Sequence, residues 1–159
     1  MKRADNWEGK LYKFIESRRN KKLVWGSTDC FALAFDAVKA ITDENVGASD
    51  LIGVDKESYI PDKPFVGRYK TPRQAFCLLK KFSGKGLTET WDIIAERLGM
   101  VEKKVAYADR GDIAVVETET EMGGVREVMG VVVDGKIVAQ GKDGIVFCEM
   151  GKVKKVWSI

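Results

Sequence analysis

The sequence predicts an α+β domain in which N-terminal helices pack on a C-terminal antiparallel meander or half-barrel. Up to about residue 99 the apolar residues recur with a helical period, and from about residue 105 they follow a period close to two. Asp134-Gly135, between two apolar runs, is typical of a two-residue hairpin turn. Because the 159 residues contain no repeat and no linker, we expect one domain, helical over about 5–99 and β-stranded over about 105–159.

The first helix is predicted from Asp5 and Glu8, which have the spacing of a capping box, and from an apolar face that contains Trp7 and Leu11. A basic turn follows at residues 18–22. We interpret this turn as a solvated helix end, with a phosphate-binding patch as the alternative. A second helix starts near Cys30.

Residues 48–69 have no periodicity, so we expect a long surface loop that is a candidate for partner binding. Thr71-Pro72 predicts the start of a third helix, which ends at Gly84 or Gly86. Cys77 lies inside this helix and is interpreted as a small core residue. Thr88 is expected to open a fourth helix, which Gly99 ends.

After Gly99 the pattern predicts extended segments. Residues 105–107 are expected to form a short extended piece. The longest strand is expected over 125–133, with a break at Gly130. The remaining strands are predicted at 113–116, 136–140, 145–150 and 153–159.

The composition limits the classes of partner, location and cofactor that we expect. Lys and Arg exceed Asp and Glu by only 27 to 24, a formal charge of +3 that does not favour nucleic acid or an acidic membrane as partner. The N-terminus has no apolar run, so we expect no signal peptide and no membrane span. Three cysteines fit a reducing compartment, and with no histidine they predict no metal site and no cofactor.

The stretch around Cys30 has the composition of a reactive site. Cys30 follows Ser27, Thr28 and Asp29, each of which can accept hydrogen bonds from a first helical turn. The positive end of the helix dipole favours a thiolate there, and the charge of Asp29 opposes it, so the direction of the pKa shift of Cys30 stays open. A buried core role for Cys30, and a simple capping role for Asp29, are the alternatives.

Several motifs, taken in order, resemble a known superfamily. Asp29-Cys30 at a helix start, Gly111-Asp112 before a strand, and a strand containing Gly130 resemble the NlpC/P60 superfamily of papain-like cysteine peptidases and amidases. Within it, the chain resembles a phage and prophage group known as a domain of unknown function (DUF6950). The motifs of that group also include Trp25-Gly26, the helix with Asp36, Gly67-Arg68-Tyr69, Asp143-Gly144 and Trp157-Ser158-Ile159. The resemblance covers nearly the whole chain and implies a papain-like topology.

The resemblance also assigns roles. It makes Cys30 the nucleophile, and it matches the strand motif after the general-base histidine to Met129-Gly130-Val131, so the base position falls on Val128. The third polar residue falls at about Ala139, with Gln140 adjacent. Valine and alanine cannot transfer protons. Two acid–base candidates remain, Asp29 and Asp112, and three positions are expected to support the site, Trp25, Gly26 and Gly130. For Asp112, pinning of the first strand is the alternative role.

These features favour a non-enzymatic function. We expect a phage virion protein, associated with the tail or connector, which is made in the host cytoplasm and docks to other phage structural proteins. The alternative is a cysteine-dependent enzyme, a peptidase, amidase or acyl transferase, that acts on peptidoglycan through Cys30. A third possibility, a nucleic-acid-binding protein, would depend on the basic residues at 18–22 and 152–155.

Overall fold

The computed structural model describes residues 1–42 and 69–159, which form four helices and one six-stranded antiparallel sheet. The helices are α1 (Trp7–Arg18), α2 (Cys30–Thr42), α3 (Pro72–Ser83) and α4 (Leu87–Leu98). The strands are β1 (Val101–Lys103), β2 (Ile113–Glu119), β3 (Val125–Val133), β4 (Lys136–Gln140), β5 (Ile145–Glu149) and β6 (Val153–Ser158), in the spatial order β1-β6-β2-β3-β4-β5. The predicted α+β class is confirmed. In the described ranges, no helix combines the length and the apolar character needed to cross a bilayer.

The main core lies between the helices and one face of the sheet. Trp91 of α4 stands almost perpendicular to Phe31 and Phe35 of α2, with ring centroids 5.6 Å and 5.1 Å away. Met129 and Val131 of β3 belong to the same core and form part of its sheet side. These bulky side chains fix α2 across β3, and this contact places the start of α2 beside the same strand.

The opposite face of the sheet covers a smaller apolar cluster, which includes Val116, Val132 and Ile137. Side chains from two short 3-10 turns, Val105–Tyr107 and Met150–Lys152, pack against it. The extended piece expected at 105–107 is therefore wrong. The strand in this region is β1, which pairs with β6 and is too short to show a period in the sequence.

Helix ends that depend on local chemistry lie where the sequence predicts them. The Thr71 hydroxyl accepts a hydrogen bond from the N–H of Gln74 at 3.3 Å, and Gly84 and Gly99 end α3 and α4 with φ of 76° and 67°. The capping box at Asp5 is wrong, because Asn6 precedes α1 with φ 57° and makes no side-chain cap. Helix α4 begins one residue before Thr88, at Leu87.

Two side chains expected in other environments have clear physical reasons for their positions. Cys77 is exposed, because α3 buries only Leu79 fully, so its interpretation as a core residue is wrong. Arg18, expected at a solvated helix end, is buried and pairs with Asp36 of α2. Of the loop predicted at 48–69, only Tyr69 belongs to the described residues.

The hairpin between β3 and β4 is confirmed, with φ of 50° at Asp134 and 76° at Gly135. The break expected at Gly130 is wrong, because β3 runs without interruption. Gly130 instead allows β4 to approach closely: a Cβ there would lie 2.4 Å from Cγ2 of Ile137 and 2.7 Å from the carbonyl oxygen of Val138.

Replacing Gly130 with alanine should therefore destabilise the sheet. We expect Gly130→Ala to lower the free energy of unfolding by about 1–3 kcal/mol, as overpacking does in other cores. Urea denaturation measures this loss. Gly151→Ala is the matched control, since nothing lies within 4 Å of its added Cβ, and its change should stay within about 0.5 kcal/mol. Equal stability of the two variants would contradict the close approach.

Candidate functional site

The carboxylate of Asp29 is the centre of the site. It is 1% exposed and lies directly before α2. Oδ1 accepts a hydrogen bond from the N–H of Ala32 at 2.9 Å, and Oδ2 accepts from the N–H of Gly26 and the hydroxyl of Tyr69, both at 2.7 Å. Gly26 has φ 79°, which a residue with a side chain rarely adopts. Three donors thus satisfy a charge that would otherwise be costly to bury.

Tyr69 is the partner that sequence reasoning missed, although it belongs to one of the matched motifs. It is buried, and its ring meets the edge of Trp25 with centroids 6.4 Å apart. Burial, and then the charge of Asp29, raise the pKa of Tyr69. Its hydroxyl therefore stays protonated and donates a hydrogen bond to the carboxylate. Only the folded chain brings these two residues together, since 40 positions separate them.

A cavity of about 150 Å³ lies against Asp29 and Cys30. Its walls are mainly apolar, and the side facing α3 includes the exposed ring of Phe76, so the cavity reaches the surface. The apolar lining includes side chains from α2, α3, α4 and the turn before α2: Leu23, Trp25, Phe31, Ala75, Leu79 and Leu87. Such a concave apolar site with few polar groups is typical of a binding pocket.

The thiol of Cys30 is partly buried in this wall. Burial raises the pKa of Cys30 to about 11, and the charge of Asp29 adds to that increase. The backbone amide of Met129 and the charge of Arg126 lower the pKa, but they do not outweigh burial. The net shift is upward, so at neutral pH the group is a thiol.

The other carboxylate at the cavity, Glu127, is also fully engaged. Its side chain accepts a hydrogen bond from the N–H of Thr88 at 3.0 Å and pairs with Lys154. Burial raises the pKa of Glu127, but the ion pair with Lys154 and the hydrogen bonds from Thr88 outweigh it, and the net pKa lies below the ordinary value. Glu127 is therefore ionised at neutral pH and cannot act as an acid.

The two positions matched to the missing base behave differently. Val128 borders the cavity with Cys30, but it lies directly opposite Val116, which belongs to the apolar cluster on the other face of the sheet. Ala139 is fully buried and is not among the lining residues described, whereas Gln140 is. Gln140 shares the helix-facing side of β4 with Val138, and its amide nitrogen donates to the carbonyl of Lys21 at 2.7 Å. It thus ties the turn after α1 to the wall of the cavity.

Asp112 lies elsewhere. It is fully buried just before β2 and binds Arg3 and Lys103, each at 2.9 Å, and the N–H of Asp109 at 2.9 Å. These partners tie the N-terminus and Lys103 of β1 to the start of β2. Asp112 is not among the described residues that line the cavity, so the structure brings Asp29 and Cys30 together with Trp25 but not with Asp112.

Among residues 1–42 and 69–159, no group of three or more His, Cys, Asp or Glu side chains could hold a metal ion. In comparison with known proteins, the chain matches a family model described as a domain of unknown function (DUF6950). It covers residues 2–53 and 57–159. No curated protein and no solved structure matches the chain.

The three donors on Asp29 lead to a stability prediction. Asp29→Asn turns one acceptor into a donor that faces other donors, so we expect the free energy of unfolding to fall by about 2–4 kcal/mol. Tyr69→Phe removes one donor and should cost about 1–2 kcal/mol. Thr71→Ala, an ordinary helix cap, is the matched control at about 1 kcal/mol. If thermal or urea unfolding shows that Asp29→Asn costs no more than Thr71→Ala, the carboxylate is not the centre of the site.

Proposed function

Because the chain belongs to the family described as a domain of unknown function (DUF6950), we propose its function from the Cys30 cavity: it is a docking module with a degenerate, papain-like NlpC/P60 fold. The module binds a partner at this cavity without hydrolysing it. Its place is in a phage particle, associated with the tail or connector, where the partners are other structural proteins.

One observation carries the non-enzymatic part of the proposal: the thiol of Cys30 has no free acid–base partner among the described residues. Amide hydrolysis by a thiol requires a base that removes its proton and an acid that protonates the leaving amine. The carboxylate of Asp29 is bound by three donors, and that of Glu127 by Lys154 and Thr88. With a pKa of about 11, roughly one Cys30 in 10,000 is a thiolate at pH 7.

The same cavity is well suited to binding. Its apolar walls favour an apolar group over water, and Phe76 at its mouth leaves apolar surface for a partner to cover. The relationship to NlpC/P60 proteins is supported by the position of Cys30 at a helix start beside a strand that carries Val128. The phage setting is supported by the sequence motifs alone.

Adding the missing base tests the proposed relationship. If Val128 occupies the position of the catalytic histidine, Val128→His places an imidazole beside Cys30 and favours the thiolate. We expect alkylation of the Cys30 thiol by iodoacetamide at pH 7 to become at least about tenfold faster than in the wild type. Val125→His, on the exposed part of the same strand, is the matched control and should leave the rate unchanged. Equal rates in both variants would argue against the papain-like arrangement.

The wild-type protein should not cleave peptidoglycan fragments or acylated peptides. Turnover that disappears in Cys30→Ala would contradict the docking proposal and support the alternative, a cysteine-dependent amide hydrolase or acyl transferase. Cys77→Ala is the control, because Cys77 is exposed on α3 and does not line the cavity.

The location in a virion has its own test. Quantitative mass spectrometry of purified particles should detect the chain at a constant ratio to tail or connector proteins. Detection in the host cytoplasm but never in purified particles would overturn the phage structural role.

A further inference from the structure

The cavity lies beside an edge of β3 that carries no partner strand among residues 1–42 and 69–159, called the open edge below. β3 pairs with β4 only from Gly130 to Val133, whereas its pairing with β2 extends from Val125 to Val131. Within the described part of the chain, residues 125–128 of β3 therefore have a strand partner on one side only. Arg126, Glu127 and Val128 from this segment also line the cavity.

The hydrogen-bond phase of β3 shows which backbone groups face that edge. Val132 exchanges hydrogen bonds with the chain before β2, through the carbonyl of Asp112 and the N–H of Gly111. Because bonding alternates along an antiparallel strand, even-numbered residues of β3 face β2 and odd-numbered residues face away. The N–H and C=O of Glu127 therefore point to the open edge, and the amide of Met129, which reaches Cys30, has the same phase.

The charges at this edge are unequal. The carboxylate of Glu127 is occupied by Lys154. Arg126 is exposed and makes no ion pair with any described residue, and its closest polar contact is 3.4 Å from Nε to the hydroxyl of Thr118. The rim of the cavity therefore presents a positive charge that an acidic group of a partner can neutralise.

We propose that this site binds an extended peptide segment of a partner protein, with one aromatic or branched aliphatic side chain in the cavity and a neighbouring acidic residue at Arg126. The peptide backbone pairs with Glu127 and adds a strand to the open edge of β3. The volume of about 150 Å³ suits a single side chain, since an apolar cavity of about that size accepts a benzene ring. This inference rests on the proposed docking function.

Capped tetrapeptides provide the test. Acetyl-Ser-Phe-Glu-Ser-amide, titrated into the full-length ¹⁵N-labelled protein, should shift the amide resonance of Glu127 and bind at least about tenfold tighter than the peptide with alanine in place of phenylalanine. Replacing its glutamate by lysine should weaken binding to the wild type about threefold or more, but should have no such effect on Arg126→Gln. Ala75→Trp, which fills the cavity from α3, should abolish binding, and Lys80→Trp on the exposed face of α3 is its control.

Toluene separates this inference from the docking function beneath it. The extended-peptide proposal is overturned if toluene enters the cavity but no peptide binds. It is also overturned if peptide affinity changes neither when the glutamate is replaced nor in Arg126→Gln. In both cases docking at the cavity stands. If neither toluene nor any peptide binds, the docking function fails as well. Cleavage of the phenylalanine peptide would overturn docking in favour of catalysis, and a dimer in place of peptide binding would assign the site to a second copy of this chain.

Discussion

The hydrogen bonds on Asp29 join three segments that are separate in the sequence: the Gly26 turn, the first turn of α2, and Tyr69 before α3. Moving a carboxylate out of water costs several kcal/mol unless its oxygens find donors, and here both oxygens do. The turn before α2 is therefore fixed in one geometry. Cys30, the next residue, is placed by that turn, by the packing of α2 on β3, and by its contact with Met129.

The same arrangement decides the chemistry. A helix N-terminus by itself favours a thiolate, through a dipole interaction of about 0.3–1 kcal/mol. Burial and the adjacent negative charge act in the opposite direction and prevail, so Cys30 remains a thiol. With valine at the position matched to the base, the site retains an apolar cavity, an unpaired backbone edge at Glu127 and a free cation at Arg126 within the described residues. These are the elements of a binding groove.

Features encoded by neighbouring residues could be predicted from the sequence. The cap at Thr71 and the turn at Asp134-Gly135 depend on side chains and backbone angles within four residues. The contact of Tyr69 with Asp29 spans 40 positions and left no local signal. Whether Ala139 or Gln140 faces the helices depends on the register of β4, because a shift of one residue reverses the faces of a strand. The exposure of Cys77 could not be predicted either, because α3 buries only Leu79 fully and the periodicity does not show how few of its residues are buried.

The central claim is that Cys30 is held protonated, and its alkylation rate measured against pH in a variant that keeps only this cysteine tests it most directly. The variant carries Cys77→Ser and Cys148→Ala, and a second variant that keeps only the exposed Cys77 is the comparison. A raised pKa leaves less thiolate at any given pH, so the rate for Cys30 should still rise above pH 10, with a midpoint near 11. At pH 8 the thiolate fraction should be about a hundredfold below that of a thiol with the ordinary pKa of 9.0. A midpoint at or below 9.0 would contradict the account.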